Sequence, residues 1–145
     1  TMTTLNKTAS EIMVEVGVNS CTDITGFGLL GHLLEMCKGS DVCAEIKFDT
    51  IKFIDGSVEA AENNIIPGGT KRNLSFIEKH IKFSDNINRT KQLLLADAQT
   101  SGGLLISVPN SKKEELKTKL LDSNCNVMEI GHMTEINDRK FIEVS

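Results

Sequence analysis

The order of the apolar patterns predicts an α+β fold, a mainly antiparallel sheet covered by helices. Three observations carry that expectation. The first third of the chain is rich in helical periodicity. The last third runs strand–helix–strand–strand. Between them, Leu104-Leu105-Ile106-Ser107-Val108 is an almost continuous apolar run, which predicts a central strand buried on both faces. The 145 residues suffice for one domain, expected over 1–145, with a real core. With six Phe and no Trp or Tyr, that core must be mostly aliphatic.

Thr3 to Val16 reads as an amphipathic helix. Leu5, Ala9, Ile12, Met13 and Val16 share a stripe, and Gly17 is its stop. A polar turn follows, Ser20 to Gly28, and runs into a second helix through Leu29, Leu30, Leu33, Leu34 and Cys37, closing at Lys38-Gly39. Cys43 to Phe48 alternates as a strand, with Ala44, Ile46 and Phe48 on one side and Glu45 and Lys47 on the other.

Gly56 to Asn64 reads as a short helix with Val58 and Ala61 inward. Pro67-Gly68-Gly69 signals a loop. A short helix carrying Phe76 and Ile77 follows, then a polar surface loop from Lys79 to Thr90. Lys91 to Ala96 is helical. After the apolar strand, Pro109 ends the run. Ser111 caps a helix to Ser123, with Glu114 three residues on and Leu116, Leu120 and Leu121 buried. Val127 to Ile136 is a strand, Asn137-Asp138 a turn, and Lys140 to Val144 pairs back as a hairpin.

The net charge of −4 is mild, and no basic stripe with interleaved aromatics appears, so nucleic acid is not an expected partner. The Lys112 to Lys119 run is interleaved with Glu114 and Glu115 and reads as a solvated helix face. No segment is apolar for long enough to cross a bilayer. Cys21, Cys37, Cys43 and Cys125 form no C-x-x-C pair, which suits reduced thiols and a cytoplasmic setting. None is near a base that would make it a nucleophile, and no catalytic residue is expected in this chain.

Three turns carry chemistry. In Thr22-Asp23-Ile24-Thr25-Gly26-Phe27-Gly28, a carboxylate and two hydroxyls stand on backbone that the glycines let bend, just before a helix. Asp23 can cap that helix, or it can hold a hard cation while N–H groups meet a phosphate. One carboxylate does not make a Mg²⁺ site, so further ligands must come from elsewhere. In Pro67-Gly68-Gly69-Thr70-Lys71-Arg72-Asn73, a hydroxyl, two cations and an amide follow flexible backbone. This is either a plain turn or an anion site in which Arg72 contacts phosphate bidentately. In Asp97-Ala98-Gln99-Thr100-Ser101-Gly102-Gly103, the polar residues either fasten the loops together or meet a ligand or partner domain, with fastening preferred. His32 reads as a capped or core-edge histidine.

These three turns, together with the Leu29-Leu30-Gly31-His32 and Leu104-Leu105 that extend them, resemble the C-terminal half of selenophosphate synthetase (selenide, water dikinase), in that family's order and spacing. The resemblance covers nearly the whole chain. It implies a C-terminal domain of the aminoimidazole ribonucleotide synthetase-like superfamily, partly ferredoxin-like in topology. It further implies an enzyme that makes selenophosphate, AMP and phosphate from selenide, ATP and water, with Mg²⁺. By position, Asp23 matches the aspartate that reaches the nucleotide-bound metal. Thr25, Gly26, Gly68, Gly69, Thr70, Arg72, Asn73, Gln99, Thr100 and Ser101 are the candidate nucleotide contacts.

The family's Gly-rich segment with the reactive Cys or selenocysteine, its Lys and most ATP and metal contacts have no counterpart between Thr1 and Ser145. The chain is therefore expected to be half of a longer enzyme and inactive alone. Its partner would be its own N-terminal domain, and the full-length protein a homodimer. The alternatives are a stand-alone phosphate-binding module and the C-terminal domain of a sister synthetase.

Overall fold

The computed structural model describes residues 5–136 and 140–145. The α+β class holds. Among the described residues six α-helices and six strands follow in the order α1 (Lys7–Val16), β1 (Ser20–Asp23), α2 (Gly28–Ser40), β2 (Val42–Ile46), α3 (Ser57–Glu62), α4 (Gly68–Ile77), β3 (Ile81–Phe83), α5 (Arg89–Leu95), β4 (Leu104–Ser107), α6 (Lys113–Asp122), β5 (Gly131–Glu135) and β6 (Ile142–Val144).

Two sheets form. A ribbon pairs β1 with β4 antiparallel, setting Asp23 opposite Leu104 and Ser20 opposite Ser107. A four-stranded sheet has the order β3-β6-β2-β5. In it β2 runs antiparallel to β5 but parallel to β6, and β6 runs parallel to β3. The larger sheet is thus mixed. Val127 to Val144 is not a hairpin, because β2 lies between β5 and β6. The expected turn at Asn137-Asp138 falls outside the described residues, whereas the first helix is corrected: it begins at Lys7 after Asn6, and Leu5, expected on its buried stripe, lies ahead of it and is exposed.

Other local expectations are corrected as well. Ser20–Asp23 is a strand rather than a helix entry, so Asp23 stands five residues ahead of α2. No side chain caps α2, which leaves Asp23 free of that role. Pro-Gly-Gly opens a helix: Pro67 is its N-cap, with Gly68 and Gly69 in its first turn. Proline is well placed there because its fixed φ suits helix entry. Leu104–Ser107 lies in the two-stranded ribbon, with only Leu105 buried, so it is not a central strand. The Lys79 to Thr90 stretch contains β3, whose Ile81 is buried, and a second buried residue, Ile87. Lys112 precedes α6 at the end of a 3₁₀ turn, and Ser111 caps nothing. Val58, Phe76 and Leu121 are exposed.

α2 is the central support. Leu30, Leu33, Leu34, Met36 and Cys37 are all buried in it, more than one stripe would hide, because it packs on β1, β2, α4 and α5. It ends at Asp41, whose left-handed φ of 51° lets its N–H reach the Cys37 carbonyl. Its core continues through Leu74, Ile77, Leu95, Ile142 and Val144. A separate, smaller core joins Val16 of α1 to Leu116 and Leu120 of α6.

Candidate functional site

The three sequence turns meet beside the entry to α2, and backbone hydrogen bonds join two of them. Ile24 N–H donates to Gly103 O at 3.0 Å, and Gly102 N–H donates back to Ile24 O at 3.0 Å. Thr25 O accepts from Gln99 N–H at 2.9 Å and from Gly28 N–H at 3.1 Å. Gly28 has φ +68°, and a Cβ there would stand 2.7 Å from the Ala96 and Asp97 carbonyl oxygens. Only glycine permits both that conformation and that approach.

The second turn braces the other two. The Asn73 side-chain amide donates to Gly26 O at 2.8 Å and to Ala96 O at 3.1 Å. Thr70, 1% exposed, donates its hydroxyl to the Asp97 carboxylate. The Gln99 amide donates to the same Asp97, through Oδ2 at 3.4 Å and the carbonyl at 3.3 Å. Thr70, Asn73 and Gln99 therefore spend polar groups on fastening. Thr70 is turned inward, away from any ligand in solvent. Gly26, Gly68, Arg72, Thr100 and Ser101 are exposed, and Gly69 and Thr25 half-buried. Arg72 and Asn73 also line a cleft of about 510 Å³ between α2 and α4, with Phe27 and Phe76.

Asp23 ends β1 and is exposed. Among the described residues its carboxylate accepts no hydrogen bond and forms no ion pair. Among the described residues, too, no group of three or more His, Cys, Asp or Glu is placed to hold a metal ion. A hard, uncommitted oxygen donor fits a divalent cation, but as one ligand of a set completed elsewhere. Beside it, burial and then the Asp23 charge push the half-buried Cys21 thiol up, which keeps it protonated and a poor nucleophile. Burial raises Cys37 to about 11, with Cys43 adding to it.

Asp97 and Ala96 are working residues to which the motif reading gave no role of their own, whereas His32, expected as a capped or core-edge histidine, is buried beside Thr25. Asp97 was visible as the acid heading the third turn, but its pairing with Thr70 spans 27 residues and has no local signature. His32 is 7% exposed, with Nε2 3.2 Å from Thr25 Oγ1. Its ring centroid is 5.5 Å from that of Phe27. Glu35 Oε2 lies 3.3 Å from Nδ1, within ion-pair reach but without hydrogen-bond geometry, so Nδ1 is buried without a partner. No sequence signal marks Asn6, whose amide donates to Gly102 O at 3.2 Å and ties α1 to the cluster.

The fold and the interlocked turns define an α+β domain with an exposed carboxylate at a strand end, and the chain belongs to the family described as AIR synthase related protein, C-terminal domain, whose model matches residues 1–142. The relatives agree with the resemblance carried by the three turns. The chain is 49% identical over 133 residues to the selenide, water dikinase of Carboxydothermus hydrogenoformans, covering 92% of the chain and 38% of that protein. It is 51% identical over 116 residues to that of Caldanaerobacter subterraneus subsp. tengcongensis, covering 80% of the chain and 33% of that protein. To that of Aliarcobacter butzleri it is 42% identical over 121 residues, covering 83% of the chain and 35% of that protein. The chain thus spans between a third and two fifths of the length of these relatives.

Proposed function

We propose that this chain is the C-terminal domain of an ATP-dependent selenide, water dikinase, which makes selenophosphate, AMP and phosphate from selenide, ATP and water. Its part is to close the site and complete the metal's ligand set. The reading is supported by the match to enzymes of that name over 92% of the chain. The observation that carries it is the projecting Asp23 carboxylate, held at a strand end while three turns brace the backbone behind it. Asp23 would hold Mg²⁺ together with carboxylates of the N-terminal half. A magnesium ion there neutralises charge on phosphate oxygens.

Gly26, Gly68, Gly69, Arg72, Thr100 and Ser101 then face the nucleotide or the partner domain, while Thr70, Asn73 and Gln99 keep the turns rigid. The setting is cytoplasmic, and dimerisation runs through the N-terminal half. Among the described residues no helix is long and apolar enough to cross a membrane.

In the full-length protein that carries this chain, Asp23→Asn should cut selenide-dependent ATP turnover by roughly 100-fold, the scale of losing one preorganised charge in a site. The melting temperature should stay unchanged, because Asp23 supports no packing. Turnover at the wild-type level would remove Asp23 from the mechanism. Calorimetry of the chain alone with Mg-ATP should show negligible binding, and tight binding would favour a self-sufficient phosphate-binding module.

A further inference from the structure

We infer that Asp97 is a positioning residue: its carboxylate, held between Thr70 of α4 and Gln99 of its own turn, fixes the third turn against both sides of Ile24 and so sets where β1 presents the Asp23 carboxylate. This rests on the Asp23 assignment proposed above and adds the group that aims that ligand.

Hydrogen bonds lead from Asp97 to the residue next to Asp23. A carboxylate only accepts, so the Thr70 hydroxyl and the Gln99 side-chain amide both donate to it, Gln99 to Oδ2 at 3.4 Å. The same amide donates to the Asp97 carbonyl at 3.3 Å, which folds the turn back on its first residue. The Gln99 backbone N–H donates in turn to Thr25 O at 2.9 Å. Three residues on, Gly102 N–H donates to Ile24 O, and Gly103 O accepts from Ile24 N–H, each at 3.0 Å. The peptide groups on both sides of Ile24 are thus held by the turn that Asp97 heads, and one of them is the peptide joining Asp23 to Ile24. A Cβ at Gly102 would overlap the Ile24 carbonyl, so the two backbones are in direct contact.

Stability alone does not account for an acid at this place. Asp97 follows Ala96, the C-cap of α5, where the helix carbonyls carry partial negative charge and repel a carboxylate. Thr70 is 1% exposed on α4, and its hydroxyl is directed to Asp97. An apolar residue at 70 and a neutral one at 97 would remove both the buried hydroxyl and the repelled charge. What the pair adds is direction. α4 sets Leu74 and Ile77 into the main core, so Thr70 gives the turn a fixed point outside its own loop.

The first test reads the backbone of the full-length protein without any turnover. Asp97→Asn leaves one side-chain oxygen for two donors. In hydrogen exchange followed by mass spectrometry, the stretch 21–28 should exchange about tenfold faster than in the wild type, while 42–48, across β2, stays within about twofold. Thr70→Val, which keeps the shape and removes the hydroxyl, should do the same, and Thr70→Ser should not. Both stretches rising together would mean general loosening and overturns the proposal, as does wild-type exchange in both. The second test is kinetic. Asp97→Asn should raise the Mg²⁺ concentration for half-maximal turnover about tenfold, as the loss of a partner behind a metal ligand does, with KM for ATP at saturating Mg²⁺ within about twofold. Added to Asp23→Asn, it should lower turnover no further, because the group it aims is gone. A loss that multiplies in the double variant overturns the positioning role. Failure of the Asp23 assignment reads differently: Asp23→Asn alone keeps full turnover, while the exchange pattern stays as stated.

Discussion

The α2-centred layer and the α1–α6 layer are made of the same aliphatic residues on very different scales. The first buries Leu30, Leu33, Leu74, Ile77, Leu95, Ile142 and Val144 at 2% exposure or less. The second has three buried residues, Val16, Leu116 and Leu120, at 4–6%. The β1–β4 ribbon stands between them. Leu105 joins the larger core, while neighbouring Ile106 packs on the smaller one. Asp23 is carried by this ribbon, yet the residues just after it are tied to α2. A thin layer cannot fix a carboxylate by packing alone. Here the backbone bonds between residues 24–25 and 99–103 do it, and glycine at 28 and 102 makes them possible.

The strongest way to break that comparison is to pry the joint open. Gly28→Ala forces a side chain into left-handed backbone and against the Ala96 and Asp97 carbonyls. We expect a loss of about 3 kcal/mol or more by chemical denaturation, since strain and overlap both act. A loss below about 0.5 kcal/mol would mean that the two layers are held by packing and the turns merely follow.

Truncation on each side measures the difference in scale directly. Leu30→Ala, from a site fully closed to solvent, should cost about 4 kcal/mol. Leu116→Ala, at 6% exposure on a helix that can settle, should cost about 2 kcal/mol. Equal losses in urea melts would show that the smaller core is as constrained as the larger one.

The same contrast governs what the sequence could reveal. The α2 stripe and the β2 alternation are read directly, because each buries its apolar residues against one large core. So are α1 and the inward Leu116 and Leu120. The β1 strand was hidden because Ser20-Cys21-Thr22-Asp23 has no apolar alternation. It is a strand only because Leu104–Ser107, more than 80 positions on, lies beside it. β3 was hidden in a polar stretch, and β6 pairs parallel with β2 rather than with its nearest strand in sequence, a long-range choice that no turn signal records. At the site, the three turns and the exposed Asp23 were legible as motifs. That Thr70 faces inward to Asp97, and that His32 meets Thr25, are matters of packing, which composition does not encode.

The smallest expected effect lies on the rim of the larger layer and separates surface charge from burial. His80 precedes β3, with its Nε2 3.3 Å from Lys38 Nζ. Burial first, then Lys38, Lys79 and Lys140, hold its pKa below the usual 6.5. The folded state therefore binds this proton less readily than the unfolded chain. Its contribution to stability is complete above the unfolded value and is lost as pH falls through the folded one. Lys38→Met should raise the His80 pKa part of the way in an NMR titration, leaving the share due to burial and the other two lysines. High salt should do the same to the wild type, since these ammonium groups are screened at the surface. A titration that both Lys38→Met and high salt leave where it was would assign the shift to burial, and would place His80 with the packed interior rather than with the solvated rim.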